Sequence, residues 1–198
     1  MPVYSFQGMV PVVDPSAYVH PTAVLIGDVI IGSGVYVAPC AVLRGDFGRL
    51  VIEEEANVQD HCVVHGFPDR DTIVEKHGHI GHHAIIHGAV VRRNSMIGMG
   101  AVLLDYCEIG ADSIVAAQAL VKANEIVPPR SMMAGIPAKR VREVTDKDLE
   151  WKRLATTDYR RLPPLCHQSL KPADALKAVE AGRPRAYACQ SPPKHTVR

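Results

Sequence analysis

The sequence predicts an all-β solenoid, a parallel β-helix of hexapeptide repeats followed by a C-terminal α-helix. Three observations predict it: large aliphatic residues recur every six positions, small or β-branched residues often follow them by four, and aromatic residues make up only 5% of the 198 residues. A six-residue period fits neither an α-helix nor a long alternating strand, but it fits a short strand and a corner, repeated. Stacked coils then bury one continuous aliphatic ladder.

The inward positions of the coils form several blocks separated by offsets. A three-residue offset follows Leu43, and a longer break follows Val64. Glycine, Asn94 and Asp112 suit the tight corners that the repeat requires. An ordinary β-sandwich is the alternative, but the number of positions in register disfavours it. These positions are Val19, Leu25, Ile31, Val37, Leu43, Ile52, Val58, Val64, Ile80, Ile86, Val91, Ile97, Leu103, Ile109, Val115 and Val121.

The remaining segments predict the organisation of the chain. The turn-rich break predicts a loop over 66–79 that projects from a β-helix spanning 1–140. A helical extension is predicted over 141–182, and 183–198 is predicted to be a flexible tail.

Two helices are predicted within that extension. Thr145, with Asp148 three positions later, has the pattern of a capping box. A second and weaker helix is predicted from near Pro172, with Leu176 and Val179 as its apolar residues.

Composition excludes several classes of protein. The net charge is +1 with both signs interspersed, which argues against nucleic-acid partners and a polybasic membrane patch. There is no apolar run of the length that a membrane span needs, and the N-terminus lacks a secretory signal pattern. Five widely spaced cysteines without a C-x-x-C pair indicate reduced thiols, so we expect a cytoplasmic protein.

Histidine is the residue type that points to chemistry. Of ten histidines, seven lie between His61 and His87, and imidazole is the commonest metal ligand. His65 and His87 each follow an inward residue and therefore point outward, whereas His82 belongs to a different face. One chain should not close all three onto one metal, so the pattern favours an oligomer. The alternative is a set of surface or interface histidines, and composition does not choose among the ligands.

Two segments carry a resemblance to a known family. The residues Asn57-Val58-Gln59-Asp60-His61-Cys62-Val63-Val64-His65 and Ile80-Gly81-His82-His83-Ala84-Ile85-Ile86-His87-Gly88 resemble the gamma-class carbonic anhydrases and their relatives. The resemblance implies a left-handed β-helix, a homotrimer and a zinc ion, with Fe²⁺ or Co²⁺ as alternatives. It also implies that His65 and His87 of one subunit share the metal with His82 of the next.

The same resemblance implies roles for five polar residues. Arg44-Gly45-Asp46 matches the Arg-x-Asp motif of the family, with Arg44 pairing with Asp60 across the interface. Gln59 would orient metal-bound water, and Asn57 would be a further catalytic-site residue. Without the family pattern, Arg44-Gly45-Asp46 would be only a polar corner.

Within the family, the chain is most similar to the PaaY-like proteins of phenylacetate degradation and the CaiE-like proteins of carnitine metabolism. This resemblance covers nearly the whole chain, and the Phe67-Pro68 pair and the tail are closer to the PaaY-like group. It implies a metal-dependent acyl-CoA thioesterase in which metal-bound hydroxide attacks the thioester. The cofactor would be the metal, and the partners would be the homotrimer and acyl-CoA.

One departure from the family affects the expected substrate. Phe47 follows Asp46 where the archetypal enzyme carries a glutamate, so a proton relay is missing and an apolar acyl group is favoured. Carbonic anhydrase activity is therefore expected to be weak or latent. Three alternatives remain: a gamma-class carbonic anhydrase, a CaiE-like non-catalytic activator, and a hexapeptide acyltransferase with a histidine as general base.

Overall fold

The computed structural model describes residues 2–185, 189, 191 and 192. In this part of the chain short strands precede two helices. The strands are β1 (Val3–Tyr4), β2 (Val12–Val13), β3 (Tyr18–Val19), β4 (Val24–Ile31), β5 (Tyr36–Val37), β6 (Val42–Ile52), β7 (Asn57–Val58), β8 (Val63–His65), β9 (Thr72–Val74), β10 (His79–Ile80), β11 (Ile85–His87), β12 (Val90–Val91), β13 (Met96–Ile97), β14 (Val102–Leu103), β15 (Glu108–Ile109), β16 (Ile114–Val115), β17 (Leu120–Val121), β18 (Ile126–Val127), β19 (Ser131–Gly135) and β20 (Ala138–Glu143). The helices are α1 (Asp146–Arg160) and α2 (Leu162–Ser169).

The strands stack in parallel to form three faces of a prism. The helix face contains β3, β5, β7, β10, β13, β16 and β19. The histidine face contains β8, β11, β14, β17 and the first halves of β4 and β6. The third face contains β9, β12, β15, β18 and the second halves of β4 and β6. Only β19 and β20 pair antiparallel among the paired strands described. This is the predicted left-handed parallel β-helix.

The inward ladder confirms the predicted core. From Leu25 to Val121 every predicted inward aliphatic is at most 1% exposed, and Val19 at the open end is partly buried. Asn94 and Asp112 adopt the left-handed conformation predicted for corners, with φ of 56° and 59°. The period can therefore be traced to one continuous core inside the prism.

The three-residue offset after Leu43 lies in β6. Gly27 pairs with Gly45, but two residues later Val29 pairs with Leu50, so β6 has three more residues than β4. Gly48 is required there, because a Cβ atom on it would lie 1.8 Å from the carbonyl oxygen of Phe67. The extra residues lie where β6 passes from the histidine face to the third face.

The projecting loop is shorter than predicted. It spans 66–71 and closes with a bridge between Phe67 and Arg70, after which β9 rejoins the third face. Val74 is buried and lies six residues before Ile80, so the register resumes one hexapeptide earlier than the prediction placed it.

The C-terminal segment agrees with the prediction in its first helix only. Thr145 forms the predicted capping box with Asp148 at the start of α1. The helix predicted near Pro172 is wrong, since residues 170–182 contain no helix. Leu176 and Val179 are exposed, and a short helix that buries no apolar face is unstable in water. Of the predicted tail, residues 186–188, 190 and 193–198 lie outside the described residues.

Helix α1 packs against the helix face through a buried lysine. The Lys152 amine donates hydrogen bonds to the His77 carbonyl oxygen at 2.6 Å and to Asn94 Oδ1 at 2.7 Å. Burial lowers the pKa of Lys152 to about 7. Val144 and Ala155 pack nearby with residues of β13, β16 and β19.

Two further expectations bear on the whole chain. All five cysteines have free thiols, in agreement with the prediction. Among the described residues, no helix is long and apolar enough to cross a membrane.

Candidate metal centre

His65 and His87 meet on the histidine face. They are register partners at the ends of β8 and β11, and both side chains point outward because Val64 and Ile86 point into the core. His65 Nδ1 lies 3.1 Å from His87 Nε2. Two imidazole nitrogens thus converge at one point, as a metal site requires.

Each of these histidines has a carboxylate on its other nitrogen. Asp46 Oδ1 lies 3.1 Å from His65 Nε2, and Asp105 Oδ1 lies 2.6 Å from His87 Nδ1. Such partners fix the orientation of a metal-binding imidazole and leave the opposite nitrogen free. Burial lowers the pKa of His65, which favours the neutral ring that can bind a cation.

Asp46 is itself held by Arg44. Arg44 Nη1 donates to Asp46 Oδ2 at 2.6 Å. Burial acts to raise the pKa of Asp46, but the hydrogen bonds from Arg44 and His65 outweigh it and lower that pKa. Arg44 therefore supports His65 through Asp46 within one chain, and its pairing with Asp60 across an interface stays a prediction.

His82 lies with a different set of predicted residues. Its Nδ1 is 2.6 Å from Asp60 Oδ2, and its backbone N–H donates to Gln59 Oε1 at 3.2 Å. Gln59 Nε2 in turn contacts Asn57 Oδ1 at 2.9 Å and His79 Nε2 at 2.7 Å. Gln59 and Asn57 are thus grouped with His82 and not with the pair of His65 and His87.

His79 is a functional candidate that the sequence did not single out. It is buried under α1, edge-on to Tyr159, and burial followed by the charge of Lys152 lowers the pKa of His79 to about 3. A neutral His79 can accept the hydrogen bond from Gln59 and so fixes that amide.

The described residues of one chain supply at most two histidines at the point where His65 and His87 meet. Within the described residues of one chain, no group of three or more histidine, cysteine, aspartate or glutamate side chains could hold a metal ion. However, His65, His87 and His82 each have one nitrogen on a carboxylate, and the second nitrogens of His65 and His87 face each other. Brought together from two copies, they would form the donor set of a three-histidine zinc site, in which one coordination position stays open.

Asp105 was missed because its role depends on the length of a coil. It lies 18 residues after His87, which is one full turn of the prism, and only that turn brings the two together. The period of the repeat could have identified this pair, because three hexapeptides make one coil and residues 18 apart then lie side by side.

Two aromatic side chains flank the histidine pair. The Phe47 ring, on the insertion in β6, lies 5.2 Å from the His65 ring, and the residue is 59% exposed. The Phe67 ring lies edge-on to His87 at 5.0 Å and stacks on Tyr106. The two histidines are therefore flanked by aromatic rings as well as by the carboxylates of Asp46 and Asp105.

Comparison with known proteins places this geometry in a family. Residues 11–45 match the family described as bacterial transferase hexapeptide (six repeats). The carnitine operon protein CaiE of Proteus sp. (strain LE138) is 53% identical over 185 residues, which are 93% of this chain and 94% of the relative. The chain belongs to the CaiE family of hexapeptide-repeat proteins. CaiE of Escherichia coli (strain K12) is 51% identical over the same coverage.

Solved structures agree with this family in fold. A Bacillus cereus protein proposed to be an acetyltransferase has a TM-score of 0.82 and 30% identity, over 84% of this chain and 96% of its own. A hexapeptide transferase family protein from Anaplasma phagocytophilum has a TM-score of 0.79 and 32% identity, over 82% of this chain and 96% of its own.

These relatives correct the predicted enzyme. The expectation of a metal-dependent thioester hydrolase with weak or latent carbonic anhydrase activity is wrong. The relatives at over half identity are carnitine operon proteins, and the similar structures are described as acetyltransferase-like or transferase-family proteins. Phenylacetate degradation and the PaaY-like group are likewise unsupported, and the CaiE-like alternative is the one these comparisons favour.

Proposed function

We propose that this protein is a CaiE-like accessory protein of carnitine metabolism, a homotrimer that binds a divalent metal between subunits and does not itself turn over a substrate. The observation that carries the proposal is 53% identity to a carnitine operon protein over 93% of the chain. The match spans nearly the whole of both chains, so a shared role is the simplest account of it.

An apolar ladder on the histidine face supports the trimer. Six outward residues stack in register from coil to coil, and Val63 and Ile85 at its centre are 41% and 40% exposed. A contiguous apolar stripe on a folded surface marks an interface. Its members are Val24, Val42, Val63, Ile85, Val102 and Leu120.

The ligands proposed for the metal are His65 and His87 of one subunit and His82 of its neighbour. Zinc suits three imidazoles best, with Fe²⁺ or Co²⁺ as alternatives. A bound metal would supply a strong cross-link between subunits and a Lewis-acidic position open to a ligand. Asp46, Asp105 and Asp60 hold the three imidazoles in place.

Deletion and complementation test the proposal. We expect loss of the gene to slow carnitine conversion in cell extracts, and addition of the purified protein to restore it. His82→Ala should fail to restore the rate, whereas His20→Ala should restore it fully. His20 is the matched control, since it contacts Thr22 away from the metal centre. Unchanged conversion after deletion would refute the proposed role.

A hexapeptide acyltransferase is a second candidate. The matched family is a transferase family, and the Bacillus cereus structure was proposed to be an acetyltransferase. In that case a histidine would act as general base toward an acyl acceptor, without a metal. Direct transfer from acyl-CoA to an amine or alcohol by purified, metal-free protein would favour this candidate over the accessory role.

A further inference from the structure

A cleft of about 330 Å³ opens at the corner between the histidine face and the third face. Its lining comes from two hairpins and from the insertion in β6, which lies between them in the stack of coils. The first hairpin is closed by two backbone hydrogen bonds of 2.9 Å between Phe6 and Met9. The second is the 66–71 loop, which the bridge between Phe67 and Arg70 closes. The fold therefore fixes both sides of the cleft.

Two glycines in the lining of the cleft cannot be replaced by larger residues. A Cβ atom on Gly45 would lie 2.4 Å from the carbonyl oxygen of Asp28, and one on Gly48 would lie 1.8 Å from that of Phe67. Backbone atoms of neighbouring coils thus meet directly at this point. The cleft is therefore formed before any ligand arrives.

One carboxylate in the cleft is left without a partner. Asp46 pairs with Arg44 at 2.6 Å, and Asp28 pairs with Arg49 at 3.0 Å. Asp71 is exposed in the lining and has no hydrogen bond or ion pair with another described residue. The uncompensated charge of the cleft is therefore negative, which favours a cation.

Arg49 supplies a complementary group beside this carboxylate. Its Nε donates to Asp28 Oδ2 at 3.0 Å, whereas its two Nη nitrogens have no partner among the described residues. A guanidinium group with two free nitrogens can bind both oxygens of a carboxylate. The cleft thus presents one free anion and one free group that binds anions.

Most of the remaining lining is apolar. Phe6, Met9 and Phe47 are 39%, 45% and 59% exposed, and Pro68 lies with them in the cleft. The guanidinium carbon of Arg44 is 5.7 Å from the centroid of the Phe47 ring, so this ring already neighbours one cation. Aromatic rings attract cations, and a methylated ammonium group suits such a wall because it has no N–H to donate.

We propose that this cleft binds a small betaine, a zwitterion that carries a trimethylammonium group and a carboxylate. The trimethylammonium group contacts Phe6 and Met9 with Asp71 as its counter-ion, and the carboxylate binds to Arg49. The proposal deepens the proposed function by naming a ligand class, and it rests on that function for its place in metabolism. Binding itself needs only one chain, since none of the six residues of the apolar ladder lines the cleft.

Calorimetric titration with γ-butyrobetaine tests the site. We expect saturable binding, and affinity about tenfold lower for the tert-butyl isostere, in which carbon replaces nitrogen and removes the positive charge. Affinity should also be lower for γ-aminobutyrate, because its unmethylated ammonium group is costly to desolvate against an apolar wall. Equal affinities for the three compounds would overturn the proposal.

Two substitutions of exposed residues test the assigned contacts. Asp71→Asn should weaken binding of γ-butyrobetaine by about fivefold. Asp69→Asn is the matched control and should bind like wild type, since Asp69 lies on the same hairpin but contacts Tyr106 and does not line the cleft. Arg49→Gln should abolish the preference of wild type for γ-butyrobetaine over choline, which lacks the carboxylate.

The outcomes separate this site from the accessory role. Unchanged affinity in Asp71→Asn, or an equal loss in Asp69→Asn, would overturn the proposal. Wild type that fails to bind γ-butyrobetaine both with and without metal would also overturn it. The accessory role would then stand or fall on deletion and complementation alone.

Discussion

The helix face and the histidine face are built from the same repeat but are completed differently. The helix face presents outward residues that α1 and α2 largely cover. The histidine face presents an apolar ladder that no element of its own chain covers in the described structure. The outward residues of the helix face are Tyr18, Tyr36, Asn57, His79, Met96, Ile114 and Met132.

This difference between the two faces indicates which groups one chain completes by itself and which would need a second chain. Polar groups under the helices, such as Asn57, Gln59 and His79, satisfy one another and are buried within one chain. His65 and His87 are the last residues of two strands that carry the uncovered ladder. The described part of their own chain supplies no third metal ligand beside them. The helix face is covered by helices of the same chain, and we propose that the histidine face is covered by a second copy.

The largest expected effect comes from a charge on the uncovered face. Ile85→Glu places a carboxylate in the centre of the apolar ladder, where burial against a partner without a counter-charge costs several kcal/mol. We expect monomers by light scattering in place of trimers. Ile126→Glu is the control, because Ile126 is 63% exposed on the third face, and that variant should remain trimeric. A trimeric Ile85→Glu would show that the ladder is not the interface.

The next effect concerns the carboxylates behind the histidines. Asp105→Asn weakens the hydrogen bond that orients His87, so metal affinity should fall by about 10–100-fold. Asp69→Asn is a matched control, since Asp69 contacts only the exposed Tyr106 hydroxyl among the hydrogen bonds described for it. Competition with a chromogenic chelator measures both variants. Equal affinities would separate Asp105 from the metal centre.

A smaller effect on the helix face is a pH dependence of stability. The pKa of Lys152 is about 7 when folded and ~10.4 when unfolded, so the unfolded chain binds more protons between these values. The free energy of unfolding should therefore rise with pH, by about 1 kcal/mol per unit just above pH 7. Lys152→Met should lose this slope.

The window for that measurement ends near pH 8.5. Burial raises the pKa of the Cys62 and Cys107 thiols to about 12, so above ~8.5 the unfolded chain releases those protons first and stability falls. Urea unfolding of wild type and Lys152→Met between about pH 7 and 8.5, at one protein concentration, isolates Lys152. Parallel slopes for the two proteins would contradict the assignment.

The smallest expected effect is at the start of α1. Thr145→Ala removes the side-chain acceptor of the Asp148 backbone N–H and should cost about 1 kcal/mol. Thr145→Ser keeps the hydroxyl and should be nearly neutral. Both are measured by urea unfolding. A loss in the serine variant as large as that in alanine would mean that the capping bond is unimportant.

The sequence predicts the features that depend on contacts between residues at a short, fixed spacing in the chain. The six-residue period identifies the inward ladder, because each contact repeats with the same spacing, and the capping box at Thr145 is local in the same way. The helix near Pro172 was wrongly predicted, since its apolar residues find no surface to bury against. A cavity between α1 and the helix face depends on how the helix packs against the prism. No sequence pattern determines that packing.

Function was harder to predict for a related reason. The Phe67-Pro68 pair favoured the PaaY-like group, yet Phe67 makes local contacts with His87 and Tyr106 only among the ring contacts described. Identity spread over 93% of the chain outweighs such a local feature and favours CaiE. Outward-pointing histidines indicate that a second chain would complete the proposed metal centre, but the sequence does not determine how the two chains would meet.

Mixed trimers test the shared metal centre most directly. His87→Ala and His82→Ala each damage every site in their own trimers, so neither protein alone should bind metal at wild-type affinity. When equal amounts are unfolded together and reassembled, each mixed ring regains one intact site. The mixture should therefore bind about a quarter of the wild-type metal, as a statistical mixture of rings requires. A mixture that binds no more metal than its two components would contradict the claim that His65 and His87 share a metal with His82 of the neighbouring subunit.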